Sequence, residues 1–240
     1  MAKVYVLQHH PVETLGTITD ALEEAALAWQ YIRVHEGHAV PADMKGAGGL
    51  IVMGGPMAVY QADRYTFLEA EMKLVEAAAK ENLPVLGVCL GAQIVAAALG
   101  ARVLKNPAGK EIGWYPVQLT EGARDDRLLR GLGPTITPFH WHGDIFEVPA
   151  GGVSLASSEK TPSQAFRYGD NVYALQFHLE VNHEGVSGMA QAWPRELERE
   201  HIEADALTSG WDRQASALEY LSSTVFGRWA GPIQKTLREV

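Results

Sequence analysis

The chain carries a single cysteine, Cys89, and it stands between two glycines in the run Gly87-Val88-Cys89-Leu90-Gly91. The apolar residues 85–88 predict a buried strand and the Ala-rich residues 90–99 a helix. A G-x-nucleophile-x-G turn from strand to helix is a nucleophile elbow, here with cysteine in place of serine. Such a turn presents its side chain in a strained position, and the flanking glycines let neighbouring backbone come close. The helix that begins after Cys89 aims free N–H groups and its positive dipole end at the sulfur. That favours the thiolate, the nucleophilic form. The alternative is a buried structural thiol, the common state of a free cysteine.

A base for that thiol lies far downstream. Residues 172–180, Val-Tyr-Ala-Leu-Gln-Phe-His-Leu-Glu, predict a strand. Side chains alternate along a strand, so His178 and Glu180 share one face. The imidazole would take the thiol proton, and the carboxylate would orient and charge-stabilise the ring, which are the roles of a catalytic triad. The alternative is a solvated His-x-Glu pair on an outer strand face.

The two segments together, Gly87-Val88-Cys89-Leu90-Gly91-Ala92-Gln93 and Gln176-Phe177-His178-Leu179-Glu180, resemble the class I, triad-type glutamine amidotransferases, most of all free-standing relatives of the glutaminase domain of GMP synthase. The likeness covers roughly residues 45–182 and is weaker before them. Leu179 stands where the family usually carries proline. Its side chain points away from the His178/Glu180 face, so little chemical consequence is expected. The resemblance implies a γ-glutamyl thioester on Cys89, glutamine or another γ-glutamyl compound as substrate, and no metal or organic cofactor.

Gly54-Gly55 closes a predicted strand over 49–53. Ligands of open α/β sheets sit beyond the carboxyl ends of strands. The Gly55 N–H and the Leu90 N–H are the candidate oxyanion hole, a donor of this kind being worth about 3 kcal/mol of barrier. A plain turn before a helix is the alternative, and the family's matching glycine loop favours the functional reading. By the same resemblance Gly54, Gln93, His142 and Gly143 are candidate substrate contacts: Gln93 lies one turn into the elbow helix, and His142-Gly143-Asp144 resembles the His-Gly-Asp stretch beside the family's substrate. His142 is also a second candidate base, without an in-strand carboxylate. Glu111 and Trp114 are candidates for the mouth. His9-His10 has no cysteine or carboxylate cluster near it in sequence, so no metal site is expected.

Strand-like residues 3–8, 31–34, 49–53 and 85–88 alternate with helical spacing over 15–29 and 67–79, which predicts an α/β fold with an open, mostly parallel sheet and helices on both faces. Short strands near 113–119, 135–139, 153–156, 164–167 and 171–177 predict a small antiparallel sheet. Residues 1–182 are expected to form the amidotransferase-like domain and 183–240 a helical extension packed on it. Asn182 is the expected N-cap of its first helix. The stripe Leu218, Leu221, Val225 and Trp229 either packs on the domain or forms a homodimer face.

The net charge of −9 over 240 residues argues against nucleic acid or an anionic membrane as partner. One cysteine makes no internal disulfide, Met1-Ala2 leads into a strand and not a signal peptide, and no apolar run approaches ~18 residues, so a cytoplasmic protein is expected. The sequence holds no G-x-x-x-x-G-K-[ST] loop, so ammonia would pass to a separate synthetase. The rivals are a self-sufficient γ-glutamyl peptide hydrolase and a non-catalytic cysteine sensor or binding module.

Overall fold

The predicted apolar runs assemble a nine-stranded sheet in the computed structural model, which describes residues 3–238, with side chains as far as Gln234. The expectation placed on Met1 and Ala2 lies outside the described residues, as do positions 239 and 240 of the tail. Across the sheet the order is β2 (Trp29–Arg33), β1 (Lys3–Gln8), β3 (Ala47–Val52), β4 (Val85–Val88), β13 (Val172–Leu175), β12 (Ala165–Tyr168), β11 (Gly152–Ser157), β7 (Val117–Leu119) and β8 (Thr135–Ile136). Strands β2 to β13 in this order are parallel, and the remainder are antiparallel.

The parallel strands are apolar on both faces because helices cover both. Val4, Val6, Ile51 and Leu86 face one core, shared with α1 (Ile18–Glu24), α4 (His183–Ala192) and α6 (Ala204–Arg238). Leu7, Leu50, Val52 and Val85 face the other, shared with α2 (Phe67–Lys80) and α3 (Leu90–Ala98). Two further antiparallel pairs stand apart from the main sheet: β5 (Val103–Lys105) with β10 (Asp144–Phe146), and β6 (Glu111–Trp114) with β9 (Phe139–His142). The fold is therefore α/β as expected. Its antiparallel strands, however, mostly extend the main sheet, and two small sheets form where one was expected.

Three local expectations change. The helix predicted over 15–29 is shorter, because Ala26 turns to φ 52° and Trp29 already belongs to β2. The strand predicted over 113–119 divides at Tyr115-Pro116 into β6 and β7, which join different sheets. The strand predicted over 172–180 stops at Leu175, and the chain leaves the sheet to pair with β9.

After Glu180 the chain is helical. Asn182 caps α4, its side-chain oxygen accepting from the Gly185 N–H at 2.8 Å. Pro194 opens α5 (Pro194–Arg199) at a position where its missing N–H costs nothing. Leu218, Leu221, Val225 and Trp229 of α6 are buried in the same core as β1 and α1. No helix among the described residues is long and apolar enough to cross a membrane.

Candidate active site

Cys89 stands at the carboxyl end of β4, where α3 begins. Its backbone lies at φ 53°, ψ −109°, a conformation that residues with a side chain rarely adopt. Two hydrogen bonds hold it there: its N–H donates to the Leu175 carbonyl at 2.8 Å, and its carbonyl accepts from the Gln93 N–H at 3.2 Å. The flanking glycines are required by close packing. A Cβ on Gly91 would lie 1.8 Å from the Val52 carbonyl oxygen, and one on Gly87 would lie 2.5 Å from the Gly91 carbonyl oxygen. Larger residues would force β3, β4 and α3 apart.

Beyond β13 the chain turns toward the elbow. His178 and Phe139 exchange backbone hydrogen bonds of 2.8 and 3.2 Å, which fixes the segment against β9. His178 and Glu180 still share a face, with Nδ1 2.6 Å from Glu180 Oε1. An ionised carboxylate only accepts, so Nδ1 carries a proton, and in the neutral ring Nε2 keeps the lone pair. That Nε2 is buried, has no hydrogen bond of ordinary geometry among the described residues, and meets the Cys89 thiol. The thiol and the ring are close enough to shift each other. Burial pushes Cys89 up, as do Glu13 and Glu180, while His178 pulls it down. Burial opposes charge on His178 too, but Glu180 and Cys89 overcome it and hold the ring well above its ordinary value. Burial thus works against the thiolate that the α3 N-terminus favours. Sγ also lies 3.4 Å from the Trp141 carbonyl oxygen.

Cys89 opens on a cavity of about 280 Å³. Gly55, Leu90, Gln93, His142 and Gly143, the candidate oxyanion donors and substrate contacts, line it. No backbone hydrogen bond among the described residues uses the N–H of Gly55 or of Leu90, so both donors are free. Gly54 lies behind the wall, its carbonyl 3.1 Å from His9 Nδ1. Gln93 is oriented by its own hydrogen bonds, its amide donating to the Asp144 carbonyl at 3.2 Å and to Gln176 Oε1 at 3.3 Å.

His142 is a poor base. Burial is the chief cause that lowers it, to about 3, and its Nδ1 faces the Asp144 carbonyl. Glu111 and Trp114 do not reach the mouth. Glu111 is buried behind the cavity, where it accepts from Ser158, Thr161 and Gln164. Trp114 is turned to the tail, its indole N–H on the Leu207 carbonyl at 2.9 Å.

Several lining residues escaped the sequence reading. Glu13, just after β1, presents a buried carboxylate to the cavity, packed against the Cα of Gly54. Burial pushes this carboxyl up, against the pull of His178. Trp193 and Glu196 come from the start of α5. Glu196 takes the Trp141 indole N–H at 3.0 Å and pairs with Lys110, another lining residue. None of these belongs to a spaced motif. The only hint in the sequence is the polar Glu196 beside an aromatic on a short Pro-led helix.

Two triplets among the described residues bring metal-ligating atoms within 4.8 Å of one another: Glu13–His178–Glu180 and Glu111–His140–His142. In the first, the His178–Glu180 hydrogen bond already uses one nitrogen and one oxygen. In the second, the Glu111 oxygens are taken up by three donors.

Comparison with known proteins bears on the family. A model of the class I glutamine amidotransferases matches residues 3–188. The glutamine amidotransferase-like protein YfeJ of Salmonella typhimurium is 34% identical over 198 residues, which are 81% of this chain and 82% of that one. A glutamine-hydrolysing GMP synthase of Porphyromonas gingivalis is 35% identical over 156 residues, 64% of this chain but 29% of that protein. The crystal structure of a glutamine amidotransferase from Thermotoga maritima superposes with a TM-score of 0.87 at 30% identity, covering 95% of this chain and 98% of that one. The chain belongs to the class I glutamine amidotransferase family.

Proposed function

We propose that this protein hydrolyses the γ-carboxamide of glutamine, or a related γ-glutamyl amide, with Cys89 as nucleophile, His178 as base and Glu180 as the group that orients it. The observation that carries this reading is the Nε2 of a Glu180-bound His178 meeting a cysteine held at positive φ on the cavity wall. The sulfur attacks the amide carbon and His178 takes the thiol proton. The developing oxyanion accepts from the Gly55 and Leu90 N–H groups. Collapse breaks the C–N bond, and His178 passes its proton to the leaving nitrogen. Water then adds to the γ-glutamyl thioester, giving up a proton to the same ring, and glutamate leaves as the thiol is restored. No metal or organic cofactor is needed for these steps.

We read residues 1–182 as the domain that houses this chemistry and 183–240 as its helical extension, in a cytoplasmic setting that keeps the thiol reduced. The likeness to a glutamine-hydrolysing GMP synthase supports an ammonia-accepting synthetase as partner. A second reading has its own support. The chain lines its cavity with Trp193, just before α5, and Glu196 of α5, both beyond the family match, which suits a hydrolase of γ-glutamyl peptides that works alone. Glutamate release from glutamine and from γ-glutamyl dipeptides, with and without cell lysate, separates the two. Fast partner-free cleavage of dipeptides supports the second. Slow turnover of glutamine that lysate accelerates supports the first. Inertness toward all of these, with Cys89 reactive only to general thiol reagents, favours a sensor.

A further inference from the structure

A second buried histidine–carboxylate pair stands behind the glycine loop. His9 follows β1 directly, and Glu71 lies on α2; both side chains are fully buried. His9 Nε2 is 2.9 Å from Glu71 Oε2, and Nδ1 is 3.1 Å from the Gly54 carbonyl oxygen. The carbonyl only accepts, as does Glu71 when ionised, so with Glu71 ionised both ring nitrogens carry hydrogen and the ring is an imidazolium. A fully buried ion pair is a weak source of stability, and Glu71 Oε1 has no hydrogen-bond partner among the described residues. Stability alone gives little reason to keep it.

Its position supplies a reason. The Gly54–Gly55 peptide is trans, and a trans peptide points its C=O and N–H to opposite sides. A cation that takes the Gly54 carbonyl on one side turns the Gly55 N–H to the other. Gly55 lines the cavity beside Cys89 and Leu90, and no backbone acceptor among the described residues takes its N–H. Neither glycine has a side chain with which to fix this peptide otherwise.

We propose that His9, held by Glu71, is a positioning residue for the oxyanion site: it locks the Gly54–Gly55 peptide with its N–H turned to the cavity and, through the carbonyl, polarises that N–H as a donor. This inference rests on the amide-hydrolysis reading above. The charged groups that face the His9 ring are Glu71 of α2 and Glu13 of the segment after β1; Phe67 of α2 packs on it at 6.0 Å without charge. Burial disfavours the cation, but Glu71, the Gly54 carbonyl and Glu13 outweigh it, so His9 titrates above its ordinary value. The lock is therefore present at low and neutral pH and is released as pH rises through that raised value.

The test compares wild type with His9→Leu, His9→Asn and Glu71→Gln. Glutamate release gives kcat and KM, and circular dichroism checks the fold. His9→Leu is expected to lose roughly 10²-fold in kcat with KM within threefold, because the ground state does not use the oxyanion donor. His9→Asn, whose amide reaches the Gly54 carbonyl from the place of Nδ1, is expected to recover at least tenfold of that loss. Glu71→Gln is expected to draw the alkaline fall of kcat to lower pH. Folded His9→Leu with kcat within threefold of wild type, or with the loss falling on KM, overturns the proposal. If His9→Leu does not fold, the pH profile of Glu71→Gln decides, and an unmoved alkaline limb overturns the proposal. Crystal structures of wild type and His9→Asn or His9→Leu add a readout free of turnover. A Gly54–Gly55 peptide that rotates in His9→Leu supports the proposal, and one that stays put overturns it. A wild type that releases glutamate from no γ-glutamyl amide defeats the functional reading instead, and the crystallographic arm then decides this one.

Discussion

His178–Glu180 and His9–Glu71 are both buried imidazole–carboxylate pairs beyond the carboxyl ends of parallel strands, at 2.6 and 2.9 Å. Each carboxylate raises its histidine against the cost of burial. They differ in what the second nitrogen does. In His178 it has no hydrogen bond of ordinary geometry among the described residues and meets the thiol; in His9 it is bound to the Gly54 carbonyl. One arrangement leaves a lone pair for proton transfer, and the other consumes every site of the ring in holding backbone. The same two residue types thus make a base or a strut, and the count of free nitrogens decides which.

The largest expected effect falls on the pair with the free nitrogen. His178→Ala should lower glutamate release by on the order of 10⁴-fold or more, as loss of a triad member does, with the fold retained. It should also move the pH midpoint of Cys89 alkylation upward, because His178 is the group that pulls the thiol down. Glutamate release within tenfold of wild type would remove His178 from the mechanism and erase the contrast with His9.

Glu180→Gln should cost less, roughly 10²-fold in kcat/KM, within the range of general acid–base contributions. The sign of its pH effect follows from the raised value of His178. Activity rises on the acid side as the thiol–imidazole pair loses its first proton, a property of the pair and not of either residue. Removing the Glu180 charge lowers that apparent value, so the acid limb should move to lower pH. A limb that moves upward or stays fixed would mean that Glu180 does not charge-stabilise the ring.

Glu71→Leu should show itself in stability. Breaking a buried pair typically costs about 3 kcal/mol, or about 6–12 °C in Tm for a chain of this size. His9 has its folded value raised, so the pair's contribution is complete below pH ~6.5, the unfolded value, and fades as pH rises through the folded one. The Tm gap between wild type and variant should therefore narrow on going from pH 6 to alkaline buffer. A gap independent of pH would show that lost packing, not charge, sets the cost.

The two pairs were also unequally legible in the sequence. His178 and Glu180 are two residues apart in an extended run, and period-2 alternation placed them on one face even though the segment leaves the sheet after Leu175. His9 and Glu71 come from β1's end and α2, 62 residues apart, and no local spacing joins them. The buried stripe of α2 is Leu68, Glu71, Leu74, Val75 and Ala78, with Phe67, Met72 and Ala79 packed beside it. A carboxylate at the centre of that stripe was the available signal, and reading it needed the facing residue. The parallel half of the sheet was clear for a related reason: apolar runs buried on both faces need no partner to be recognised. The short antiparallel strands named themselves but not their neighbours, so the pairing of β6 with β9 and of β7 with β11 was out of reach.

Glu13 lies between the two pairs and gives the smallest and most discriminating test. It faces His178, Glu180 and His9, and burial holds its carboxyl above the ordinary value. A raised carboxyl means that the folded state binds more protons than the unfolded one through that window, so ionising Glu13 destabilises the fold as pH rises. Glu13→Gln removes this penalty. Its Tm should exceed that of wild type at pH 8 by a few degrees, about 2–4 °C per kcal/mol regained, and match it below pH ~4, where both states are protonated. Glu13 also pushes the Cys89 thiol up, so the alkylation midpoint should fall in the variant. Its opposing charge is one of several on His9, so the alkaline limb should shift less than in Glu71→Gln. A variant whose Tm equals that of wild type at pH 8 as well as at pH 4 would show that the Glu13 carboxyl is solvated in the folded state and not raised by burial. The two histidine pairs would then have to be treated as electrically separate, each tuned by its own carboxylate alone.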